Sequence, residues 1–187
     1  ILGSRDPERA KSKATELREQ TQKLPIIGAA NAEAARLGTV IVLALPAAGL
    51  AATLPEAREG CREKVVISTV VPLTFGGPRL FTPPPSGSAA EEAQALLPEA
   101  RVVAAFHHNA AHELSETDQP IDCDLLLCGA DAAAKQTVIE LGTTMGLRAF
   151  DAGPLSNAGP LEAITAVLAA LNRRYKLKNS GIKITGL

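Results

Sequence analysis

The sequence has no tryptophan, one tyrosine and four phenylalanines among its 187 residues. Small aliphatic side chains make up most of its apolar content, which favours α/β layers over an aromatic-rich β-sandwich or a base-stacking surface. Basic and acidic residues nearly balance, for a net charge of −1, and no basic face indicates nucleic-acid binding. The composition therefore predicts an α/β protein that does not bind nucleic acid.

The cysteines and the apolar runs of the sequence exclude further classes of protein. Cys61, Cys123 and Cys128 have neither metal-binding nor redox spacing, so we expect reduced thiols. The longest apolar stretch, Thr39 to Leu54, is interrupted by a proline and a glycine and is too short to span a bilayer. No signal peptide is visible, and we predict a cytoplasmic protein without membrane contact.

Several catalytic and cofactor motifs are also missing. No serine lies in a G-x-S-x-G elbow, and no two carboxylates have catalytic spacing. No G-x-G-x-x-G turn, which binds the pyrophosphate of a dinucleotide, occurs in the sequence. The lack of acid/base machinery favours hydride transfer between two organic cofactors, because there the protein mainly orients its ligands and excludes water.

Strand-like and helix-like segments alternate along the chain. We predict strands at 39–45, 64–72, 101–106, 123–129 and 147–151, and helices at 6–23, 32–36, 47–58, 89–97, 132–145 and 161–175. The predicted helix caps are Asp6, Asn31, Ser88 and Asp131. Residues 73–88, rich in proline and glycine, are predicted to form a loop or lid. The β-branched runs at 39–45 and 64–71 are typical of buried parallel strands, so the alternation predicts a Rossmann-like, doubly wound parallel sheet.

Ligands of such sheets bind outside the carboxyl ends of the strands. Four strand ends are candidates: Gly3-Ser4-Arg5, 45–47, 68–72 and 106–109. In a parallel sheet all four fall on one rim, and we expect the ligand there.

The first residues indicate which dinucleotide binds. An apolar run that ends at Gly3-Ser4-Arg5 looks like the end of the second strand of a dinucleotide-binding fold. Cationic residues there accommodate the 2′-phosphate of NADP, and a guanidinium fork matches phosphate oxygens. Ser4, Arg5 and, one helical turn later, Arg9 therefore predict NADP. The alternative is an ordinary exposed helix start capped by Asp6.

The chain begins at Ile1 without a methionine. If Leu2 lies in the second strand, the first βα unit, with its strand, Gly-rich turn and helix, is missing from this sequence and would precede Ile1. We therefore expect a fragment. Because the amides of that turn hold the pyrophosphate, the fragment alone is expected to bind NADP weakly and to be inactive.

The three histidines, His107, His108 and His112, lie close together after a predicted strand. His108 and His112 have i, i+4 spacing, but the segment lacks the glutamate of H-E-x-x-H, and we predict no metal site. A general acid/base histidine and a hydrogen-bonded loop histidine are alternatives. We favour a positional role, in which a histidine walls a cofactor ring at the strand end.

Together these segments resemble the NADPH-dependent reductases of the deazaflavin coenzyme F420, the F420:NADP oxidoreductases. The resemblance covers the whole chain and is most specific in D-A-G-P-L at 151–155, N-R-R-Y-K at 172–176 and G-I-K-I-T-G at 181–186. It implies NADP(H) and F420 as ligands, with a hydride passing reversibly between nicotinamide C4 and deazaflavin C5. It also implies a homodimer, an NADP-binding Rossmann domain at 1–122 and a small C-terminal α/β domain at 123–187.

The resemblance further implies groups of ligand-binding residues. The group at the 2′-phosphate is Ser4, Arg5 and Arg9. The group along the NADP backbone is Leu45 and Pro46. The group that frames the nicotinamide and deazaflavin rings is Ser68, Val71, Pro72 and His107. The group at the deazaflavin cleft is Gly153, Pro154 and Leu155.

Asn109 departs from the family pattern. Relatives tend to have a branched apolar residue two places after the first histidine, packed behind the nicotinamide, whereas this chain has an amide. We expect Asn109, with His107 and Pro72, to position the rings, and to alter their spacing or bind a water.

Two other interpretations stay open. An imino-acid reductase of the pyrroline-5-carboxylate type shares the Ser-Arg second strand, but it would continue with a long helical dimerisation domain where this chain continues with strands. A non-catalytic NADPH-binding module has the same fold without turnover. The helix at 161–175, apolar on most faces, is either the core of the small domain or a dimer surface.

Overall fold

Within residues 1–21, 24–115 and 120–186, which a computed structural model describes, the chain forms seven strands and seven α-helices. The strands are β1 (Leu2–Ser4), β2 (Gly28–Ala30), β3 (Val40–Leu43), β4 (Val65–Ser68), β5 (Arg101–Ala105), β6 (Asp124–Gly129) and β7 (Arg148–Asp151). The helices are α1 (Pro7–Gln20), α2 (Asn31–Leu37), α3 (Leu50–Cys61), α4 (Ala89–Leu96), α5 (Ala111–Ser115), α6 (Ala132–Thr144) and α7 (Ala158–Tyr175). The predicted α/β class is confirmed.

The strands form a parallel pair, β1 and β2, and a five-stranded sheet in the order β3-β4-β5-β6-β7. β3, β4 and β5 run parallel, with Leu43, Ser68 and Ala104 side by side. Their carboxyl ends therefore reach one rim, as the sequence predicts for a ligand site.

The prediction of an entirely parallel sheet is wrong at one pair. β6 runs antiparallel to β5, with Ala105 beside Leu127, and β7 runs parallel to β6. A parallel connection needs a packed crossover helix, whereas α5, between β5 and β6, is short and has no buried residue. The amino end of β6 consequently lies at the rim where β5 ends.

β5 and β6 lie before and after residue 122, where the sequence predicts a domain boundary. β5 and β6 pair directly, so the strands before and after this position share one sheet. The division at 122 stays a prediction.

β3 is less buried than its β-branched sequence predicts. Val42 is 53% exposed, and Val40 and Ile41 are half-buried. Among the described residues β3 pairs only with β4, and β1 pairs only with β2. Residues of β1 and β3 line one cavity of about 480 Å³, so β3 lacks a strand neighbour on that side.

Three of the four predicted helix caps are confirmed. Asp6 Oδ1 accepts the Glu8 and Arg9 amides, the Ser88 hydroxyl accepts an amide of α4, and Asp131 accepts one of α6. The fourth prediction is wrong, because Asn31 is the first residue of α2 and its side-chain amide donates to Glu56 instead.

Helix ends differ from the predicted bounds by a few residues. α1 ends at Gln20, and the predicted end at Lys23 lies outside the described residues. The helix predicted from Ala47 begins as a single 3₁₀ turn, Ala47–Gly49, before α3. α7 begins earlier than predicted, after a second 3₁₀ turn, Leu155–Asn157.

Two apolar clusters cover the two faces of the five-stranded sheet. Val66 and Val102 face a cluster with α3, α4 and α7, whereas Val65 and Val103 face a second cluster with α6. Neighbouring residues of a strand point to opposite faces, which explains this division. The three cysteines are buried and not disulfide-bonded. No helix in the described ranges is long and apolar enough to cross a membrane.

The contact between α1 and β2 depends on Gly28. A Cβ atom at this position would lie 2.2 Å from the Ala10 carbonyl carbon and 2.3 Å from its oxygen. We expect Gly28→Ala to lower the free energy of unfolding by about 3 kcal/mol, because backbone must shift to admit the methyl group. At Gly49 the nearest atom, in Leu45, is 3.4 Å away, so Gly49→Ala is the matched control, with a change within about 0.5 kcal/mol. Urea unfolding checks both variants, and equal losses would contradict the prediction.

Candidate functional site

Thr69 joins β3 and β4 at the rim that the carboxyl ends of β3, β4 and β5 form. Its backbone N–H and its hydroxyl donate to the Leu43 carbonyl at 3.3 and 3.0 Å. The adjacent Ser68 is fully buried, and its hydroxyl has no hydrogen-bond partner in the part of the chain that the structure describes. Of the predicted hydroxyl pair, Thr69 therefore joins two strands and Ser68 is available to another group.

His107 lies beside Ser68 at this rim. Phe106 adopts a left-handed conformation (φ 64°), which turns the chain after β5 and leaves His107 6% exposed. Its ring interacts with the Ser68 backbone, and neither ring nitrogen has a hydrogen-bond partner among the described residues. Buried polar atoms without partners are rare and costly, so the Ser68 hydroxyl and the His107 ring mark a place for a polar ligand.

The protonation state of His107 follows from its surroundings. Burial lowers the pKa of His107 to about 3, and the neighbouring His108 contributes in the same direction, whereas the Ser68 backbone beside the ring opposes the shift. The ring is therefore neutral near pH 7, with one N–H donor and one acceptor nitrogen. It can position a polar ligand but cannot act as a cationic general acid at that pH.

His108 and Asn109 hold this turn on the start of β6. The Leu126 N–H donates to His108 Nε2 at 3.1 Å, and Asn109 Nδ2 donates to the Asp124 carbonyl at 3.2 Å and to the Cys123 sulfur at 3.0 Å. The amide oxygen of Asn109 is buried and has no partner within residues 1–21, 24–115 and 120–186. The predicted contact between Asn109 and a cofactor stays a prediction.

His112 lies apart from these side chains. It is exposed on α5. Within the described parts of the chain, no three histidine, cysteine or acidic residues are grouped to hold a metal ion.

The residues predicted to bind the 2′-phosphate lie at the end of β1. Arg5 and Arg9 are exposed, and neither guanidinium has an ion pair in the described ranges. The Ser4 hydroxyl accepts the Asp6 amide at 3.1 Å. Ser4, Arg5 and Leu45 line the 480 Å³ cavity together, so the structure unites the β1 and β3 strand ends.

Pro72 lines a different and smaller cavity of about 220 Å³, beside Ala47, Thr82, Pro84 and the first turn of α4. Val71, like Pro72, is half-buried, and Pro46 is exposed. The ring-framing residues therefore lie along the same rim as the first cavity without sharing it.

Gly153, Pro154 and Leu155 lie elsewhere on the sheet. The Gly129 amide donates to the Gly153 carbonyl. Because Gly129 pairs with Val103 and not with the last residue of β5, Gly153 lies toward the amino end of β5, away from the rim. Leu155 is buried in the cluster with α4 and α7. The structure does not bring these residues to His107, and their contact with deazaflavin stays a prediction.

Glu162 is a buried group that the sequence analysis missed. It is fully buried on α7, and its two carboxylate oxygens accept the Ala89 and Ala90 amides at 3.0 Å each. Burial raises the pKa of Glu162 to about 7 despite these hydrogen bonds, and Glu91 and Glu92 add to the rise. The signal was present, since Glu162 is the sole acidic residue of α7 and lies in its mainly apolar first half.

This pKa gives a testable pH dependence of stability. The unfolded carboxyl has an ordinary pKa near 4.5, so between about pH 4.5 and 7 the folded state binds more protons than the unfolded state. The contribution of Glu162 to stability therefore falls by about 3 kcal/mol as the pH rises through this window. Urea unfolding of the wild type and Glu162→Gln at several pH values measures it, as the stability of the wild type relative to the variant.

Two neighbouring histidines, His107 and His108, change the stability in the opposite direction as the pH changes. Burial lowers the pKa of His107 and of His108, so their contribution to stability falls as the pH drops. Both are present in the wild type and in Glu162→Gln, and their effect cancels in the difference. A difference that does not vary with pH would contradict the assignment to Glu162.

The sequence analysis also missed an ion pair at the amino end of β6, between a buried carboxylate and an exposed guanidinium. Asp124 is 1% exposed and accepts Nε and Nη2 of Arg148 at 2.8 Å each and the Ile184 amide at 2.6 Å. Burial alone would raise the pKa of Asp124, but the bonds from Arg148 and Ile184 outweigh it and hold the pKa below its ordinary value. The Asp124 amide also donates to the Ile182 carbonyl, so this carboxylate ties the C-terminal tail, residues 181–186, to the sheet.

Comparisons with known proteins agree with this geometry. The family model described as NADP oxidoreductase, coenzyme F420-dependent, matches residues 1–72. An F420-dependent NADP reductase of Methanocaldococcus jannaschii is 40% identical over 195 residues, which cover 100% of this chain and 87% of that protein. One from Methanothermobacter thermautotrophicus is 37% identical and covers 100% and 84%.

A solved structure extends the likeness to the fold. The crystal structure of a candidate F420-dependent NADP reductase from Arthrobacter sp. FB24 superimposes with a TM-score of 0.84 at 26% sequence identity. The match covers 98% of this chain and 87% of that protein.

Proposed function

The chain belongs to the family of F420-dependent NADP reductases, and from this premise we propose that it transfers a hydride reversibly between NADP(H) and coenzyme F420. The observation that supports the proposal within the molecule is the group of unpartnered buried polar atoms on Ser68 and His107. A carboxamide or a deazaflavin ring offers donors and acceptors to such atoms, which fits both ligands. When bound, the nicotinamide and the deazaflavin supply the chemistry, a hydride exchanged between C4 and C5.

The protein supplies binding and orientation. We propose that Ser4, Arg5 and Arg9 hold the 2′-phosphate, because Arg5 and Arg9 are exposed cations without ion pairs at the end of β1. Leu45 and Pro46 follow the next strand along the rim and would contact the NADP backbone. The nicotinamide and deazaflavin rings would then lie at the carboxyl ends of β4 and β5.

We propose that Ser68, Val71, Pro72 and His107 frame the two rings. The neutral imidazole of His107 donates one hydrogen bond and accepts another, which fixes a ring without changing its charge. Because the His107 imidazole is neutral near pH 7, we assign it an orienting role and no role as a cationic proton donor.

We further propose a cytoplasmic homodimer. α7 exposes Val167, Leu171 and Tyr175, and Leu177 follows them, which leaves an apolar strip for a second copy. The buried, unpaired thiols of the three cysteines are consistent with a reducing compartment.

An anaerobic assay tests the activity. NADPH is mixed with oxidised F420, and the visible absorbance of the deazaflavin is followed for this chain and for a version extended before Ile1 by a βα unit with a strand, a G-x-G-x-x-G turn and a helix. We expect turnover by the extended version, lost in the His107→Ala variant and retained in His112→Ala. NADPH binding without turnover in either version would overturn the proposal and favour a non-catalytic module. Oxidation of NADPH by a pyrroline carboxylate alone would favour the imino-acid reductase.

A further inference from the structure

One face of α7 contacts two separate segments of the rim. Glu162 accepts the Ala89 and Ala90 amides at the start of α4, and Thr165, three residues later, donates its hydroxyl to the His107 carbonyl at 2.9 Å. Residues at i and i+3 lie on the same side of a helix, so one rigid element holds both segments.

The first of these segments is the end of the long connection between β4 and α4. This connection, residues 69–88, begins at Thr69, which is bonded to the Leu43 carbonyl, and includes Val71 and Pro72. At its end, Gly87 packs against Gly159 of α7 so closely that a Cβ on Gly159 would lie 3.0 Å from the Gly87 oxygen. The connection is therefore fixed to β3 at one end and to α7 at the other.

Glu162 does more than a local cap of α4. The Ser88 hydroxyl accepts the Glu91 amide, as an ordinary cap does, whereas Glu162 accepts the two preceding amides from a different helix. A fully buried carboxylate costs more than an exposed cap, because the charge loses its hydration. What the buried position adds is the link between α4 and α7.

We propose that Glu162 and Thr165 are positioning residues of the hydride transfer, through which α7 sets the distance between the Pro72 connection and the His107 turn. This inference rests on the proposed function. Hydride transfer is sensitive to small displacements of the two rings, and a shift of about 1 Å costs on the order of 100-fold in rate. Neither residue needs to touch a ligand for this role.

Three variants and a control test the proposal in the extended chain. Glu162→Gln keeps the size of the side chain but offers one acceptor where two amides donate. Thr165→Val removes the hydroxyl, and Thr165→Ser retains it. Val138→Ala, in the cluster on the opposite face of the sheet, is a destabilising control that leaves α7 and the rim unchanged.

The main measurement is the single-turnover rate at saturating NADPH and F420. We expect Glu162→Gln and Thr165→Val to lower it by about 10- to 100-fold. NADPH affinity should change less than twofold, because Ser4, Arg5 and Arg9 are untouched. Thr165→Ser and Val138→Ala should keep the wild-type rate. Wild-type rates in Glu162→Gln and Thr165→Val, or an equal loss in Val138→Ala, would overturn the proposal.

A second measurement does not need turnover and separates this inference from the proposed function. The NMR signals of the His107 ring report its surroundings, and amide hydrogen exchange reports the bonds at Ala89 and Ala90. We expect Thr165→Val and Glu162→Gln to shift the ring signals, and Glu162→Gln to speed exchange at both amides. If the wild type does not transfer hydride, the proposed function fails, whereas unchanged ring signals in both variants would overturn the positioning role.

Discussion

Replacing Arg5 with alanine is expected to raise the KM for NADPH about 100-fold and to leave the KM for NADH nearly unchanged. Arg5 is exposed at the end of β1 and lines the cavity that also contains Leu45. A guanidinium bound to a phosphate through two charge-assisted hydrogen bonds contributes about 3 kcal/mol, and NADH has no phosphate at this place. The discrimination between the two nucleotides should therefore collapse.

Steady-state kinetics with each nucleotide and F420 measure the effect. Arg18→Ala is the matched control, since Arg18 is also an exposed arginine but lies near the carboxyl end of α1, where it is bonded to Thr15. Arg5→Lys should fall between alanine and the wild type, because an ammonium cannot form the two-pronged contact. A similar rise in KM for NADPH and NADH would show that Arg5 does not contact the 2′-phosphate.

Asp124→Asn is expected to lower the free energy of unfolding by about 2–3 kcal/mol. The carboxylate is almost completely buried and accepts two bonds from Arg148 and one from the Ile184 amide. An asparagine has one acceptor oxygen for these donors, and its NH2 group would face donors instead of acceptors. The Arg148 side chain is 55% exposed and stays hydrated, so the loss comes mainly from the unmatched polar groups around residue 124.

The neighbouring exposed pair provides the control for this loss. Asp122 is bonded to Lys183, and both side chains are largely exposed, so Asp122→Asn should cost less than about 1 kcal/mol. Urea unfolding compares the two variants, and hydrogen exchange at the Ile184 amide tests whether the tail detaches. A loss for Asp124→Asn as small as that for Asp122→Asn would mean that the bonds of Asp124 to Arg148 and Ile184 contribute little to the free energy of unfolding.

Much of the local structure could be predicted because its causes are local. Asp6 and Ser88 cap α1 and α4 as their positions in the sequence indicate, and the β-branched run ending at Leu43 forms a strand. The rim of β3, β4 and β5 follows from the same argument, since parallel strands place their carboxyl ends together. His107 at this rim was also predicted from its position after β5.

The remaining features depend on contacts between distant parts of the chain. The direction of β6 is fixed by its pairing with β5, and no local pattern encodes it. Asp124 meets Ile184 across most of the C-terminal half, and Glu162 meets Ala89 across a similar distance. Asn31 has the composition of a cap, but its side chain binds Glu56 on α3 instead.

The antiparallel pairing of β5 and β6 has a practical consequence for anyone who labels this protein. β6 starts at the rim. Its first residue, Asp124, binds the C-terminal tail around Ile182 and Ile184, so the tail is also held at the rim. The same Asp124 carbonyl that accepts the Asn109 amide belongs to the residue that fastens the tail. A purification tag or surface linker joined to this tail would therefore be tethered beside the histidine turn, and attachment through the exposed side of α6 keeps it away from the rim.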